Sequence, residues 1–220
     1  MREHYDFAVI GAGIAGASVA AELASDASVV LLDKEPQPGY HSTGRSAAYF
    51  SASYGSAAVR AATAASEPFF RSPPEGFTGT PLLRSRDTLF VARQNQLLRL
   101  SAFKEEISGL QEISGSDAIL RVPILDADSV AAGILETGGG DLDVDATLQG
   151  FLRLLHQRSG ALHCQQHVQA LSKRSGGWLV TTEDREFACE TLVNAAGSWA
   201  GELGRLAGLS DLGITPRSLR

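Results

Sequence analysis

The sequence predicts an α/β protein, and three observations carry that expectation. A short apolar run, Phe7-Ala8-Val9-Ile10, ends at glycines. A second, Val29-Val30-Leu31-Leu32, ends at an acidic residue, Asp33. From there to the end of the chain, strand-like and helix-like periodicities alternate, the pattern of a sheet with helices packed against it.

Each element follows from its own residues. Both apolar runs lack the polar alternation of a half-exposed strand, so they read as parallel strands buried on both faces. Between them, Gly13 to Ser25 sets Ile14, Val19 and Leu23 at helical offsets among alanines, so a helix packs on the strands. Together they make one strand-helix-strand unit. Pro36 to Tyr54 is rich in Ser, Gly and Thr without a period, and a loop of that length usually has a function.

Further on, residues 55–70 read as a helix bearing Val59, Ala62, Ala65 and Phe69, and 81–92 as one or two strands around Leu89-Phe90-Val91. Gln94 to Leu110 places Leu97, Leu98, Phe103 and Ile107 on one helical face. The acidic stretch 111–145 shows no clear period. Thr147 to Arg158 is an amphipathic helix with Leu148, Phe151, Leu152 and Leu155 inward. Short strands are expected near 161–164, 167–172, 177–182 and 186–188. Thr191-Leu192-Val193 is a last strand running into Asn194-Ala195-Ala196-Gly197, followed by a helix over Ser198 to Ala207.

Composition excludes several classes. With 44% hydrophobic and 20% charged residues, the 220-residue chain has a core to bury, and its 23 Gly show no collagen-like period. Two cysteines, Cys164 and Cys189, are too few for a disulfide framework and lack metal-ligand spacing. The expectation is therefore no metal and a reducing, cytoplasmic setting. A net charge of −6 without a dense Lys/Arg run argues against nucleic acid. The uncharged stretch Phe7 to Ala21 is flanked by Asp6 and Glu22 and dominated by Gly and Ala, so it is neither a signal peptide nor an integral membrane segment. His156, His163 and His167 pair with no Ser or Cys in a nucleophile motif, and Gly-x-Ser-x-Gly is absent, which disfavours a hydrolase.

The chemistry lies in Gly11-Ala12-Gly13-Ile14-Ala15-Gly16. It fits G-x-G-x-x-G between a strand and a helix: Gly11 for a tight turn, Gly13 for close approach of a ligand, Gly16 for close helix packing. The amides that open the helix suit a pyrophosphate. Asp33 follows Gly11 by 22 residues, at the end of the second strand, where a carboxylate accepts from an adenosine ribose hydroxyl. The unit is a Rossmann-like dinucleotide site, and the fingerprint alone does not separate NAD from FAD.

At this point the chain resembles a family. Gln37-Pro38-Gly39-Tyr40-His41-Ser42-Thr43-Gly44-Arg45-Ser46-Ala47-Ala48, continuing to Tyr54-Gly55, resembles the FAD-dependent oxidoreductases of the D-amino acid oxidase type, most of all bacterial D-arginine dehydrogenases. Gly140 to Ala146, Leu192 to Gly197 and Trp199 add to the likeness. The resemblance implies a Rossmann-like FAD-binding domain, residues 1–80 and 145–212, and a partial, interrupted substrate domain, residues 81–144 and 213–220. It implies FAD contacts at Gly11, Gly13, Ala15, Gly16, Asp33, Lys34, Ser42, Thr43, Gly44, Arg45, Ser46, Ala47, Ala48, Tyr49, Val168, Ala196 and Gly197. Val168 stands in a short strand on this reading, its backbone meeting the adenine.

The same resemblance implies catalytic Tyr49 and Tyr54 and substrate contacts at Ser51 and Thr88. Tyr49 stands where D-arginine dehydrogenases have a histidine, and Arg86-Asp87-Thr88 replaces their glutamate for a cationic side chain, so the likeness stops short of a basic substrate. The implied activity is oxidation of a D-amino acid, or a related 2-amino or 2-hydroxy acid, by hydride transfer to flavin, with an unspecified electron acceptor. Members of the family are longer, so the chain also reads as truncated, without their carboxylate-binding arginine. The alternatives are an inactive FAD- or ADP-binding fragment and an NAD-dependent dehydrogenase.

Overall fold

The computed structural model describes residues 3–217. In chain order the elements begin with β1 (Glu3–Ile10), α1 (Ile14–Leu23), β2 (Val29–Leu32), β3 (Tyr49–Phe50), α2 (Ala57–Arg71), β4 (Leu83–Ser85), β5 (Thr88–Ala92) and α3 (Leu97–Glu106). They continue with β6 (Gln111–Ser114), α4 (Gly115–Arg121), β7 (Ala132–Glu136), β8 (Gly140–Leu142) and α5 (Val144–Gln157). The last are β9 (Ala161–His163), β10 (Ala170–Arg174), β11 (Gly177–Thr181), β12 (Glu186–Asn194) and α6 (Ala200–Leu206).

The chain folds as two compact units. The first comprises Met1–Ser46, Glu75–Thr80 and Val144–Arg220, and the second Ala47–Pro74 and Pro81–Asp143. Residues 47–74, assigned by sequence to the first domain, make their contacts within the second unit, and residues 213–217 belong to the first. Residues 218–220 lie outside the described residues.

In the first unit one six-stranded sheet has the order β10-β11-β12-β1-β2-β9. β12, β1, β2 and β9 run parallel, while β10 and β11 add antiparallel neighbours at one side. Because successive side chains of a strand point to opposite faces, β1 and β2 supply two cores. Val9, Val29 and Leu31 meet Ala17, Ala20 and Ala21 of α1 and Leu148 and Leu155 of α5. Ala8, Ile10, Val30 and Leu32 meet Val180, Phe187 and Leu203 on the other face. All four residues of β2 are buried, as its unbroken apolar run requires.

Several sequence expectations are corrected here. α1 packs through Gly16, Ala17, Ala20 and Ala21, whereas Ile14 and Val19 stay more than a third exposed. Small residues let the helix axis approach the sheet, and the branched side chains are left at the sides. The two strands expected at 186–188 and 191–193 are one strand, β12, paired antiparallel with β11 early and parallel with β1 throughout. β10 starts at Ala170, so Val168 precedes the strand rather than lying in it. The 36–54 loop contains the two-residue β3.

In the second unit the aperiodic stretch 111–145 holds β6, α4, β7 and β8. Two three-stranded sheets form, β3-β8-β4 and β5-β7-β6. Ile113, Ala118 and Leu135 make its core with Leu89 and Val130. Phe90 meets Phe103 of α3 edge to face at 4.9 Å. Leu98, expected on the inner face of α3, is 89% exposed, and Ile107 lies past the helix in extended backbone.

Candidate functional site

The site grows from the carboxyl ends of the parallel strands. Ile10 is in register with both Leu32 and Asn194, so the turns leaving β1, β2 and β12 emerge side by side. Gly11 N donates to Leu32 O (2.8 Å), Ala195 N to Ile10 O (2.9 Å) and Asp33 N to His163 O (3.0 Å), which ties the three turns and β9 into one edge. Ligands of open α/β sheets bind outside such an edge.

The glycines are fixed by backbone contacts. Gly11 has φ +106°, and a Cβ there would stand 2.4 Å from Ala195 O. One on Gly16 would collide with Gly11 O at 1.7 Å, so α1 and the turn touch backbone to backbone. Gly13 differs: its φ of −74° and ψ of −177° suit any residue, and an added Cβ would meet only Thr43 Oγ1, at 3.2 Å. What glycine keeps there is open space between the turn and the 36–45 loop.

Asp33 braces the turn. Its Oδ2 accepts from Ala12 N (2.6 Å) and its Oδ1 from Glu35 N (2.9 Å). Each oxygen retains a lone pair for a further donor. The loop returns to the same turn, with Gly39 N donating to Ala12 O (3.0 Å) and Ile14 N to Thr43 Oγ1 (3.0 Å). On the far side of β2, the chain turns sharply at Gln165, whose φ is +58° and whose N donates to Glu35 O (3.0 Å). Gln166 N then donates to Asp33 O (2.8 Å), which brings Gln166 to Val168 against the strand end.

These segments enclose an open cleft within the first unit. Of the sequence-predicted residues, Gly11, Gly13, Asp33, Lys34, Ser42, Thr43, Val168, Ala196 and Gly197 line it. Ala15, Gly16, Gly44, Arg45 and Ser46 do not. Ala15 is exposed on the first turn of α1, Gly16 is buried beneath the turn, and Arg45 stacks over the Tyr40 ring at 5.4 Å. Burial, and secondarily the Asp33 carboxylate, push the nearby Cys164 thiol up from its ordinary pKa.

Ala47, Ala48, Tyr49, Ser51, Tyr54 and Thr88 belong to the second unit. There the Tyr49 hydroxyl donates to Arg86 O and accepts from Thr88 Oγ1 (2.8 Å). Arg86 lies over the Tyr49 ring at 4.6 Å and forks onto Asp141 at 2.9 and 2.6 Å. Each holds the other's pKa toward its charged form, raising Arg86 and lowering Asp141, chiefly through that hydrogen bond. Ser51 Oγ, Ser53 Oγ and Ser53 N converge on the buried carboxylate of Glu136 at 2.8–3.1 Å. Tyr54 is 75% exposed.

Sequence reasoning missed Glu35, Tyr40, His41, Gln166 and Glu202, which also line the cleft, together with Trp199, Leu203 and Leu206. Trp199 carried a signal, since it follows the small-residue turn of β12 directly. The others depend on how distant segments meet. Among the described residues, no group of three or more His, Cys, Asp or Glu side chains is placed to hold a metal, and no helix is long and apolar enough to cross a membrane.

The likeness to known proteins reaches well beyond the strand end, glycine turn and acid. Residues 6–219 match the family described as DAO, FAD dependent oxidoreductase. The chain belongs to this FAD-dependent oxidoreductase family. The flavoprotein family uses FAD, and neither the NAD-dependent alternative nor the inactive fragment is favoured by the match.

Glycine oxidase of Geobacillus kaustophilus is 24% identical over 229 residues, covering 96% of this chain and 59% of the oxidase. L-2-hydroxyglutarate dehydrogenase of Salmonella houtenae is 26% identical, covering 93% of this chain and 50% of that enzyme. Among solved structures, FAD-bound L-alpha-glycerophosphate oxidase of Mycoplasma pneumoniae superposes with a TM-score of 0.84 at 19% identity, over 95% of this chain and 58% of the other. The α/β fold of this flavoprotein is thus shared, and the chain spans about half to three fifths of the length of these relatives.

Proposed function

We propose that the whole protein oxidises a small 2-amino or 2-hydroxy acid, with FAD seated in the cleft of the first unit. The observation that carries this reading is the convergence of Gly11–Gly13, Asp33 and Ala195–Gly197 at one strand edge. The residues present fit the cofactor. Gly13 puts no side chain over the helix start, the α1 amides after Ile14 favour an anion, and Asp33 has acceptor capacity left for a ribose diol. On this reading Ser42 and Thr43 face the pyrophosphate, Lys34 and Val168 the adenosine, and Ala196 and Gly197 the path of the ribityl chain.

FAD, when bound, supplies the acceptor for a hydride from the substrate's α carbon. The chain's own residues supply binding and orientation. In the second unit Tyr54 presents a free-standing phenol and Ser51 a hydroxyl held by Glu136, and we assign them to the substrate side. The Tyr49 hydroxyl is committed to Arg86 O and the Thr88 hydroxyl to Tyr49, so their part is to shape that side rather than to move a proton. A D-amino acid is the substrate favoured by the likeness of the 37–48 loop to D-arginine dehydrogenases, though Arg86-Asp87-Thr88 stands in place of their glutamate and Arg86 there forks onto the Asp141 carboxylate. A reducing, cytoplasmic setting belongs to the same reading, since Cys164 and Cys189 are both free thiols.

The test is anaerobic mixing of the full-length flavoprotein with separate glycine, D-amino acid and 2-hydroxy acid panels. Bleaching of the oxidised flavin band by members of one panel is expected. A flavin that none of the three panels reduces contradicts the proposed chemistry.

A further inference from the structure

Four side chains lining the FAD cleft close into a ring. Lys34 Nζ stands 3.5 Å above the centroid of the Trp199 indole. The His41 imidazole meets the same indole at 4.6 Å between centroids, with the planes at 49°. His41 Nε2 is 2.7 Å from Glu35 Oε1, and that oxygen is 3.9 Å from Lys34 Nζ. Tyr40 adds an edge-on contact to His41 at 5.2 Å. The end of β2 and the 36–45 loop that follows it are thereby joined to the turn after β12, far away in sequence.

A lone exposed ion pair contributes little, and so does one cation over an aromatic face. Here the contacts share partners and each of Lys34, Glu35 and His41 is mostly covered, so their side chains are held by more than one neighbour at once. The ring acts on the loop two residues before Thr43, whose Oγ1 accepts from the first amide of α1. An arrangement that fixes His41 also fixes where Thr43 can reach.

We infer that Lys34, Glu35, His41 and Trp199 form a latch that holds the 36–45 loop against the start of α1 and so pre-forms the FAD cleft, with Trp199 and His41 as positioning residues. The inference rests on the reading that this cleft holds FAD. Its cost and benefit follow from pre-organisation: a loop already in place loses less freedom when the ligand arrives.

The experiment uses the full chain with Trp199→Leu, His41→Asn, the double variant, Trp199→Phe and, as reference, Gly13→Val. Two quantities are read: FAD affinity from flavin fluorescence, and the rate of tryptic cleavage after the exposed Arg45 in the FAD-free protein. Each single variant is expected to weaken FAD about three- to tenfold. The double variant should be no weaker than the worse single one, because both remove the same latch. Cleavage after Arg45 should quicken in all three without FAD present, and Trp199→Phe should restore both readouts.

Additive losses of affinity with unchanged cleavage would mean that Trp199 and His41 touch FAD independently, and would overturn the latch. So would wild-type affinity and cleavage in the latch variants while Gly13→Val still loses FAD. Should FAD sit elsewhere instead, Gly13→Val would bind it normally, and faster cleavage after Arg45 would report the latch on its own.

Discussion

At the residue scale, the function of this flavoprotein concentrates where side chains serve backbone and ligand at once. Asp33 is such a residue, since its carboxylate holds Ala12 N at 2.6 Å and faces the cleft. Asp33→Asn should weaken FAD by about 1–3 kcal/mol, the range for losing a charge-assisted hydrogen bond, and titration with FAD measures it. An unchanged dissociation constant would remove Asp33 from the ribose site. This residue was legible in sequence because its 22-residue spacing from Gly11 is set by the strand-helix-strand unit itself. Glu35 and His41 were not, because their partners are assembled by a loop with no periodicity.

A second residue-scale prediction concerns acid. The Ser28 hydroxyl, with its amide, donates to Asp6 and holds that carboxyl below its ordinary pKa. A lowered folded-state pKa contributes stability that is complete above the unfolded value and disappears as pH falls through the folded one. Asp6→Asn should therefore cost stability at neutral pH and less at the acid end of the carboxylate range, as urea unfolding at the two pH values would show. An equal loss at both would mean that the Asp6 charge plays no part.

At the scale of elements, periodicity succeeded where one face of a segment is buried and failed where shape mattered more than hydrophobicity. β1, β2 and α5 were legible from their apolar runs and stripes. α1 was legible as a helix but not in its orientation, because its contact face is made of Gly and Ala rather than of its larger residues. Ala20→Leu should thus destabilise the protein by about 1–3 kcal/mol through overpacking, whereas Val19→Ala should change stability by less than about 0.5 kcal/mol. Chemical denaturation would show the reverse order if α1 packed through its branched residues. β6, β7 and β8 were not legible, since they are three to five residues long in an acidic stretch and exist only through pairing, β7 with β5 and β6, and β8 with β3 and β4. Gly140 has a reason visible only in the structure: a Cβ there would lie 2.2 Å from Arg84 O of the neighbouring strand.

At the scale of the whole molecule, the chain passes between two compact units several times, so that each unit is built from segments distant in sequence. Such boundaries leave no mark in composition, and residues 47–74, read from sequence with the first domain, group with the second unit. The nucleotide half of the function was nonetheless legible, because a glycine turn between strand and helix answers to local geometry. On the proposed reading the substrate half falls to side chains of the second unit, and there the sequence offered only a resemblance.

The central claim is that FAD binds over the glycine turn at the edge of the first sheet, and Gly13 tests it most directly. Gly11 and Gly16 are unsuitable because any Cβ strikes backbone and would damage the fold itself. The backbone conformation of Gly13 suits any residue, and a Cβ there meets only the Thr43 hydroxyl, at 3.2 Å. Wild-type protein and Gly13→Val should therefore unfold at closely similar denaturant concentrations without FAD. Titrated with FAD, the variant should bind at least about tenfold more weakly, since its side chain occupies the space that the pyrophosphate requires. Equal affinity for FAD in the two folded proteins would contradict the account.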